Sequence, residues 1–172
     1  TSLIPIIAEN YVLNKKEEMQ KKINIAMKLS AVIALPATLG IFCLAGPIMK
    51  LIFFDKYEGI EILRYLSISI PFIIVTQTTT SVLQASNDYI RPVVNLIIGC
   101  ILKIILTAIL VPIPKINIFG AVISSVASYM LVTILNLISL KSKTKCNISV
   151  CDSFVKPGSA SVIMSVVVLF VF

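Results

Sequence analysis

Residues 92–112, PVVNLIIGCILKIILTAILVP, are the stretch that decides the fold. Helical residues rise about 1.5 Å each, so this run reaches roughly 30 Å, the thickness of a bilayer's hydrocarbon core. Three more apolar stretches of similar length occupy residues 28–47, 62–85 and 117–140. A barrel strand needs only about 10 residues with strict alternation, which these runs lack. The sequence therefore predicts an all-α, polytopic bundle of transmembrane helices.

The composition agrees with a membrane protein. Hydrophobic residues make up 58% of the 172 residues and charged residues 13%, whereas soluble domains are about half apolar and a quarter charged. The chain starts at Thr1 inside one apolar segment and ends inside another, MSVVVLFVF. We expect a piece of a larger protein, in which residues 1–13 end a preceding transmembrane helix and residues 158–172 begin a further one.

The net charge of +7 does not point to nucleic acid, because the basic residues lie in short loops between the spans. Counted on alternate sides, ten basic residues lie on one side and four on the other. Cytoplasmic loops carry the excess of Lys and Arg, so the first set predicts the cytoplasmic side of a bacterial cell membrane. That set is Lys15, Lys16, Lys21, Lys22, Lys28, Arg91, Lys141, Lys143, Lys145 and Lys156, against Lys50, Lys56, Arg64 and Lys115.

The four cysteines are expected to be free thiols. Cys43 and Cys100 fall within spans, and Cys146 and Cys151 fall in the basic loop 141–157, on the side where disulfides are rare. A Cys-x4-Cys pair in a chain without His is a poor zinc site, so no metal and no other cofactor is expected. Labelling by a membrane-impermeant maleimide would test the cytoplasmic placement of this loop.

Two features suggest bent or peripheral segments. Residues 14–27 put Met19, Ile23, Ala26 and Met27 on one face, which fits either an amphipathic helix in the cytoplasmic interface or a solvated linker helix. Pro36 and Pro71 lie within spans and are candidates for helix kinks. Proline is also frequent in transmembrane helices generally, so both interpretations of these prolines stay open.

Polar residues in the second span form a stripe. At helical spacing Gln77, Thr80, Ser81 and Gln84 share one face. Such a stripe either makes hydrogen bonds to neighbouring helices or lines a hydrated cavity. In the fourth span a repeat of small residues, Gly120, Ser124 and Ser128, indicates that another helix can approach closely.

Lys103 is the exceptional residue of the third span, where Asn95, Gly99, Lys103 and Thr107 recur every four residues. It stands about ten residues from either end of the apolar run, roughly 15 Å from an interface and beyond the reach of its side chain. A cation at this depth costs about 2.5 to 3.5 kcal/mol on insertion scales. Lys103 should therefore face a watery cavity, a carboxylate or a bound anion, and none of the carboxylates lies at mid-span.

Five segments carry a family resemblance, in order along the chain: LIPIIAE at 3–9, ALPATLGIFCLAGPIMKLIF at 34–53, EGIEILRYLSISIPFIIVTQTTTSVLQ at 58–84, RPVVNLIIGCILKIILTAILVPIP at 91–114 and IFGAVISSVASYMLVTILNLISL at 118–140. Together they resemble the C-terminal half of the stage V sporulation protein B group. That group belongs to the polysaccharide and lipid-linked oligosaccharide flippases, related to MATE-type exporters and lipid II flippases.

The resemblance implies a two-lobe transporter whose lobes of six helices enclose a cavity and rock between inward and outward states. Residues 14–140 would then hold a linker and four helices of the second lobe, with the N-terminal lobe as a partner. Lys103, Asn95 and the stripe from Gln77 to Gln84 would lie on cavity-region helices. The implied substrate is a lipid-linked polysaccharide or peptidoglycan precursor, in sporulation or cell-envelope synthesis, with Lys103 attracting its phosphate.

Three other functions stay open from the sequence. A cation-coupled multidrug exporter of the MATE type would favour intramembrane carboxylates, which are missing at mid-span. An integral-membrane glycan enzyme would need acid, base or metal-binding groups gathered at one interface, and the chain has no His and only scattered acids; no catalytic residue is assigned. An inert membrane scaffold would keep the same helices.

Overall fold

The structure, a computed structural model, describes residues 16–53, 59–114, 117–144, 157–161 and 164. The described residues form helices joined by short turns. The helices are α1 (Lys16–Phe53), α2 (Ile60–Ser67), α3 (Ile70–Ala85), α4 (Ile90–Leu110) and α5 (Ile118–Thr144). Since α2 and α3 follow one another in a single apolar segment, the helices provide four membrane-spanning segments. The prediction of an all-α, polytopic bundle is confirmed.

The helix bounds differ from the expected spans at two places. Residues 16–27 are the first turns of the 38-residue α1 rather than a separate linker. Their apolar residues Met19, Ile23 and Met27 are buried in a cluster with side chains of α3 and α5, so this face packs against the bundle. At the other end α5 continues to Thr144, into the predicted loop 141–157. Residues 1–13 and most of 158–172 lie outside the described part.

Helix α5 is the centre of the bundle. It packs against α2, α3 and α4, while α1 packs against α2 and α3. The cluster of Met19, Ile23, Val82, Leu83 and Leu140 joins the start of α1 to the ends of α3 and α5. These helix ends lie at the same end of the bundle. The basic residues near them therefore lie on one side, as the count of basic residues on alternate sides predicts. The described ones are Lys21, Lys22, Lys28, Arg91, Lys141 and Lys143.

The second span tightens just before Pro71 and does not break. Between α2 and α3, Ile68 and Ser69 keep right-handed helical dihedrals (φ −62°, ψ −23° and φ −74°, ψ −20°). Their N–H groups donate to the carbonyls three residues back, at 3.2 and 3.0 Å, which is the pattern of a 3₁₀ turn. Hydroxyls also satisfy carbonyls at this turn, since Ser67 Oγ donates to the Arg64 carbonyl (2.7 Å) and Ser69 Oγ to that of Leu66 (2.6 Å). Helix α1 by contrast continues through Pro36.

A tight turn connects α3 to α4. Asn87 takes the left-handed conformation (φ 57°), which asparagine tolerates better than most residues. The N–H groups of Asn87 and Asp88 then donate to the carbonyls of Gln84 and Leu83, both at 3.0 Å. This pattern is a Schellman motif, which ends α3 with its carbonyls satisfied. Asp88 also pairs with Arg91 (3.3 Å) at the start of α4.

Small residues let α4 and α5 touch through their backbones. Gly99 leaves room for Val132 and Ser128, and Ser128 Oγ donates to the Gly99 carbonyl at 2.6 Å. At the other crossing, a Cβ on Gly120 would stand 2.8 Å from the backbone carbon of Leu110. The sequence repeat of Gly120, Ser124 and Ser128 therefore marks a true close approach, and all three residues are buried.

A substitution at Gly120 tests this close approach. Gly120→Ala should lower the stability of the full-length protein by about 1–3 kcal/mol, the typical cost of overpacking, because the backbone of Leu110 must move. Gly40→Ala in α1 is the matched control, since a Cβ there meets no atom within 4 Å. Alanine should even favour the helix at Gly40 by about 0.5–1 kcal/mol. Thermal unfolding in detergent measures both, and equal midpoints for the two variants would contradict the close packing.

Candidate functional site

A series of polar contacts runs along the interface of α4 and α5. The hydroxyls of Thr107 and Ser124 lie 2.8 Å apart, and Ser128 binds the Gly99 carbonyl one helical turn away. Further along, Asn95 Nδ2 donates to Asn136 Oδ1 at 2.8 Å and contacts Ser139 Oγ at 3.1 Å. These residues of α4 are three members of the predicted four-residue stripe, so the stripe marks the α4–α5 contact.

Helix α3 joins the same network from its own side. The buried hydroxyls of Thr76 and Thr133 lie 2.9 Å apart, and Thr133 Oγ1 also contacts the Phe72 carbonyl at 3.0 Å. Asn136 is fully buried and donates through Nδ2 to Thr80 Oγ1 at 3.0 Å. Asn136 therefore connects Thr80 of one polar stripe to Asn95 of the other.

In the predicted stripe on α3, two side chains make hydrogen bonds and two make none among the described residues. Thr80 is bonded to Asn136, and Ser81 Oγ donates to the Gln77 carbonyl at 2.9 Å within its own helix. Gln77 and Gln84 are exposed, and no hydrogen bond of either amide is found within the part of the chain that the structure describes. The Gln77 amide, within the span, needs water or a protein partner, whereas Gln84 lies at the end of α3. Gln77 and Gln84 thus face away from this bundle, towards what surrounds it.

Lys103 is the fourth member of the α4 stripe and lies beside the interface rather than in it. Its side chain is exposed, and Nζ stands 6.0 Å from the ring centroid of Tyr129 on α5. Cα–Cβ bonds lean towards a helix N-terminus, so the side chain leans away from the nearer end of α4 at Leu110. No ion pair of Lys103 occurs among the described residues.

The position of Tyr129 sets the depth of the Lys103 ammonium. Tyr129 stands eleven residues after the first residue of the 27-residue α5, about 16 Å along the helix axis. The ammonium beside it therefore lies near the middle of the span, although Lys103 itself is only seven residues before Leu110. A cation at that depth needs water, an anion or a charge partner around its free side.

The sequence prediction missed the residues of α5 that join the stripes. Asn136 and Thr133 are the centre of the polar contacts, and Tyr129 supports Lys103. A signal for Asn136 was present, because the four-residue repeat of Gly120, Ser124 and Ser128 extends through Val132 to Asn136. Tyr129 had no comparable signal, since its contact depends on the crossing of two helices.

A separate concavity lies between α2 and α5. It has a volume of about 570 Å³ and is lined by apolar side chains together with Glu61, among them Tyr65, Phe119 and Met130. None of the predicted site residues lines it. The tyrosine and phenylalanine rings meet edge to face there, with centroids 5.8 Å apart. Its apolar walls suit contact with hydrocarbon rather than with a charged head group.

Comparison with known proteins identifies the family of this helix bundle. A family model described as "Lipid II flippase MurJ" matches residues 1–172. The chain belongs to the MurJ family. It is also similar to YabM, an uncharacterized membrane protein of Bacillus subtilis (strain 168), with 32% identity over 143 residues. That match covers 83% of this chain and 26% of YabM, so the chain spans about a quarter of that relative's length. No solved structure matches the chain significantly.

Membership of the MurJ family agrees with the wider superfamily of the sequence resemblance. The helices, the family and the relative together describe a multi-pass protein of a bacterial membrane. The narrower resemblance, to the stage V sporulation protein B group, is not the family that matches. The family is one of membrane transporters for a lipid-linked precursor.

A pair of substitutions tests the role of Asn95 and Asn136. Interhelical side-chain hydrogen bonds in membranes contribute about 0.6 kcal/mol on average and up to about 1.7, so Asn95→Ala and Asn136→Ala should each lower stability by that order. Combined, they should cost less than the sum, because both remove the same hydrogen bond. Gln84→Ala, at an exposed position, is the control for stability. Strictly additive losses in thermal unfolding would show that the two amides act separately.

Proposed function

We propose that the full-length protein containing this chain is a flippase that moves a lipid-linked glycan precursor across the cytoplasmic membrane. The observation that carries the proposal is the mid-depth ammonium of Lys103, supported by an aromatic ring and lacking a carboxylate partner among the described residues. A phosphate or pyrophosphate group of a lipid-linked precursor supplies the missing negative charge. Membership of the MurJ family supports a substrate of this class.

The polar residues of α3 and α4 fit such a route. Gln77 and Gln84 present amides away from the bundle, where they can hydrogen-bond water or the hydroxyls of a sugar head group. The Asn95 amide, by contrast, is engaged with Asn136 and Ser139. We therefore propose Lys103 as the phosphate-binding residue, with Gln77 and Gln84 as walls of the cavity and Asn95 as a fixed part of its frame.

Alternating access is the mechanism we propose for the movement. The 3₁₀-like turn between α2 and α3, just before Pro71, interrupts the regular α-helical hydrogen bonds of this span, and element-terminal residues of this kind can absorb the backbone rotations of a hinge. Rocking of this bundle against the N-terminal lobe would expose Lys103 first to one side and then to the other. We propose a precursor of peptidoglycan or of a spore polysaccharide as the substrate, so loss of the protein should leave that precursor in the inner leaflet.

Substitution of Lys103 tests the proposal. Hydrogen bonds to charged groups contribute about 1.5–3 kcal/mol, so Lys103→Gln should slow transport roughly ten- to hundredfold while the protein accumulates normally. Lys103→Arg should keep part of the activity, because guanidinium also binds phosphate. The measurement is flipping of a fluorescent lipid-linked saccharide in liposomes, read by an impermeant quencher.

Two other results would change the conclusion. Normal flipping by an abundant Lys103→Gln protein would contradict the proposed role of this residue. Poor accumulation of Lys103→Gln would indicate instead that Lys103 pairs with a carboxylate elsewhere in the protein, because removal of one partner leaves the other charge buried and unpaired. Unchanged precursor distribution in depleted cells, with new sensitivity to cationic dyes, would favour a multidrug exporter.

A further inference from the structure

Among the described residues, the group found beside the Lys103 ammonium is the aromatic ring of Tyr129 rather than a carboxylate. We propose that Tyr129 is a positioning residue for transport: its ring holds the Lys103 ammonium at mid-depth and leaves the ammonium free to bind the phosphate of the substrate. This inference rests on the proposed function, because it specifies how the same site keeps its charge available.

The helix packing around Lys103 fixes where the ring lies. One turn before Lys103, Gly99 accepts a hydrogen bond from Ser128, the residue next to Tyr129. One turn after Lys103, the Thr107 hydroxyl contacts Ser124. Because these contacts bracket Lys103 on both sides, α4 and α5 cannot slide past one another here without breaking one of them. The backbone of Tyr129 is therefore held beside Lys103.

A third contact, made by Thr133, connects the part of α5 around Tyr129 to α3. Thr133 Oγ1 donates to the Tyr129 carbonyl at 2.7 Å, and the same hydroxyl group contacts the buried Thr76 at 2.9 Å. The segment of α5 that carries the ring is thus held by α3 and α4 together. The ring itself is half-buried.

A ring is a suitable support for a cation that must also bind a ligand. A carboxylate would take up ammonium N–H donors and neutralise the charge, whereas an aromatic face attracts the cation through its quadrupole and accepts no conventional hydrogen bond. The 6.0 Å separation lies at the outer edge of cation–π geometry. The Lys103 ammonium therefore keeps its donors for an anion, and the ring reduces the cost of holding it at this depth.

The experiment uses full-length protein in liposomes with a fluorescent polyprenyl diphosphate-linked saccharide as the probe. Tyr129→Phe keeps the ring and removes the hydroxyl, so it should flip the probe at nearly the native rate. Tyr129→Leu removes the ring and should slow flipping roughly two- to thirtyfold, the range of a cation–π contact, with a rise in apparent KM. Tyr89→Leu, at an exposed tyrosine away from the site, should have no effect.

A double variant shows whether Tyr129 acts through Lys103. If it does, Lys103→Gln with Tyr129→Leu should be no slower than Lys103→Gln alone. Protein amount in the membrane is measured for every variant, and Tyr129→Met, a flexible apolar side chain, replaces Tyr129→Leu if the latter does not accumulate.

Three results would overturn the inference, and they separate it from the proposed function. If Lys103→Gln is inactive while Tyr129→Leu flips the probe normally, the ring does not position the lysine and the proposed function stands. If Tyr129→Phe is as slow as Tyr129→Leu, the hydroxyl rather than the ring is needed. If Lys103→Gln is active, the proposed role of Lys103 fails, and a slow Tyr129→Leu protein would then reflect an unrelated defect.

Discussion

The close contact of α4 and α5 is the constraint on which the rest of the structure depends. In lipid the hydrophobic effect does not drive two apolar helices together, because lipid tails are as apolar as the helices. Association therefore relies on small residues and buried hydrogen bonds. Gly99 and Gly120 bring the two backbones together, and Ser128 and Asn136 bind across the contact. Because α5 also packs against α2 and α3, this one interface sets the position of nearly every helix in the bundle.

The same interface produces the candidate site. It places the ring of Tyr129 beside Lys103, and it uses up the polar groups of Asn95 and Thr107 in helix contacts. Of the four stripe positions on α4, three make contacts that hold the helices together. The fourth, Lys103, is a cation without a carboxylate partner among the described residues. The distinction between frame and ligand site arises from packing, since all four residues have the same helical spacing.

Periodicity and length were enough to predict the fold from the sequence, because span length and hydrophobicity are imposed by the bilayer itself. They also drew attention to Lys103, because a cation near mid-span is recognisable from its position in the apolar run alone. The continuation of α1 through Pro36 and the contacts of Asn136 could not be predicted. They depend on helix packing and helix crossings that only the packed bundle defines. The cavity roles of all six candidates stay predictions: Lys103, Asn95, Gln77, Thr80, Ser81 and Gln84.

The central claim is that Lys103 faces a water-filled, anion-binding space rather than lipid. Its most direct test is the reaction of Lys103→Cys with a charged, membrane-impermeant thiosulfonate reagent in full-length protein whose native cysteines are replaced. Ile104→Cys is the control, because Ile104 is an apolar side chain of the same span, is 68% exposed and is expected to face lipid. We expect rapid reaction at position 103 and no reaction at position 104. Equal lack of reaction at both positions would contradict the account.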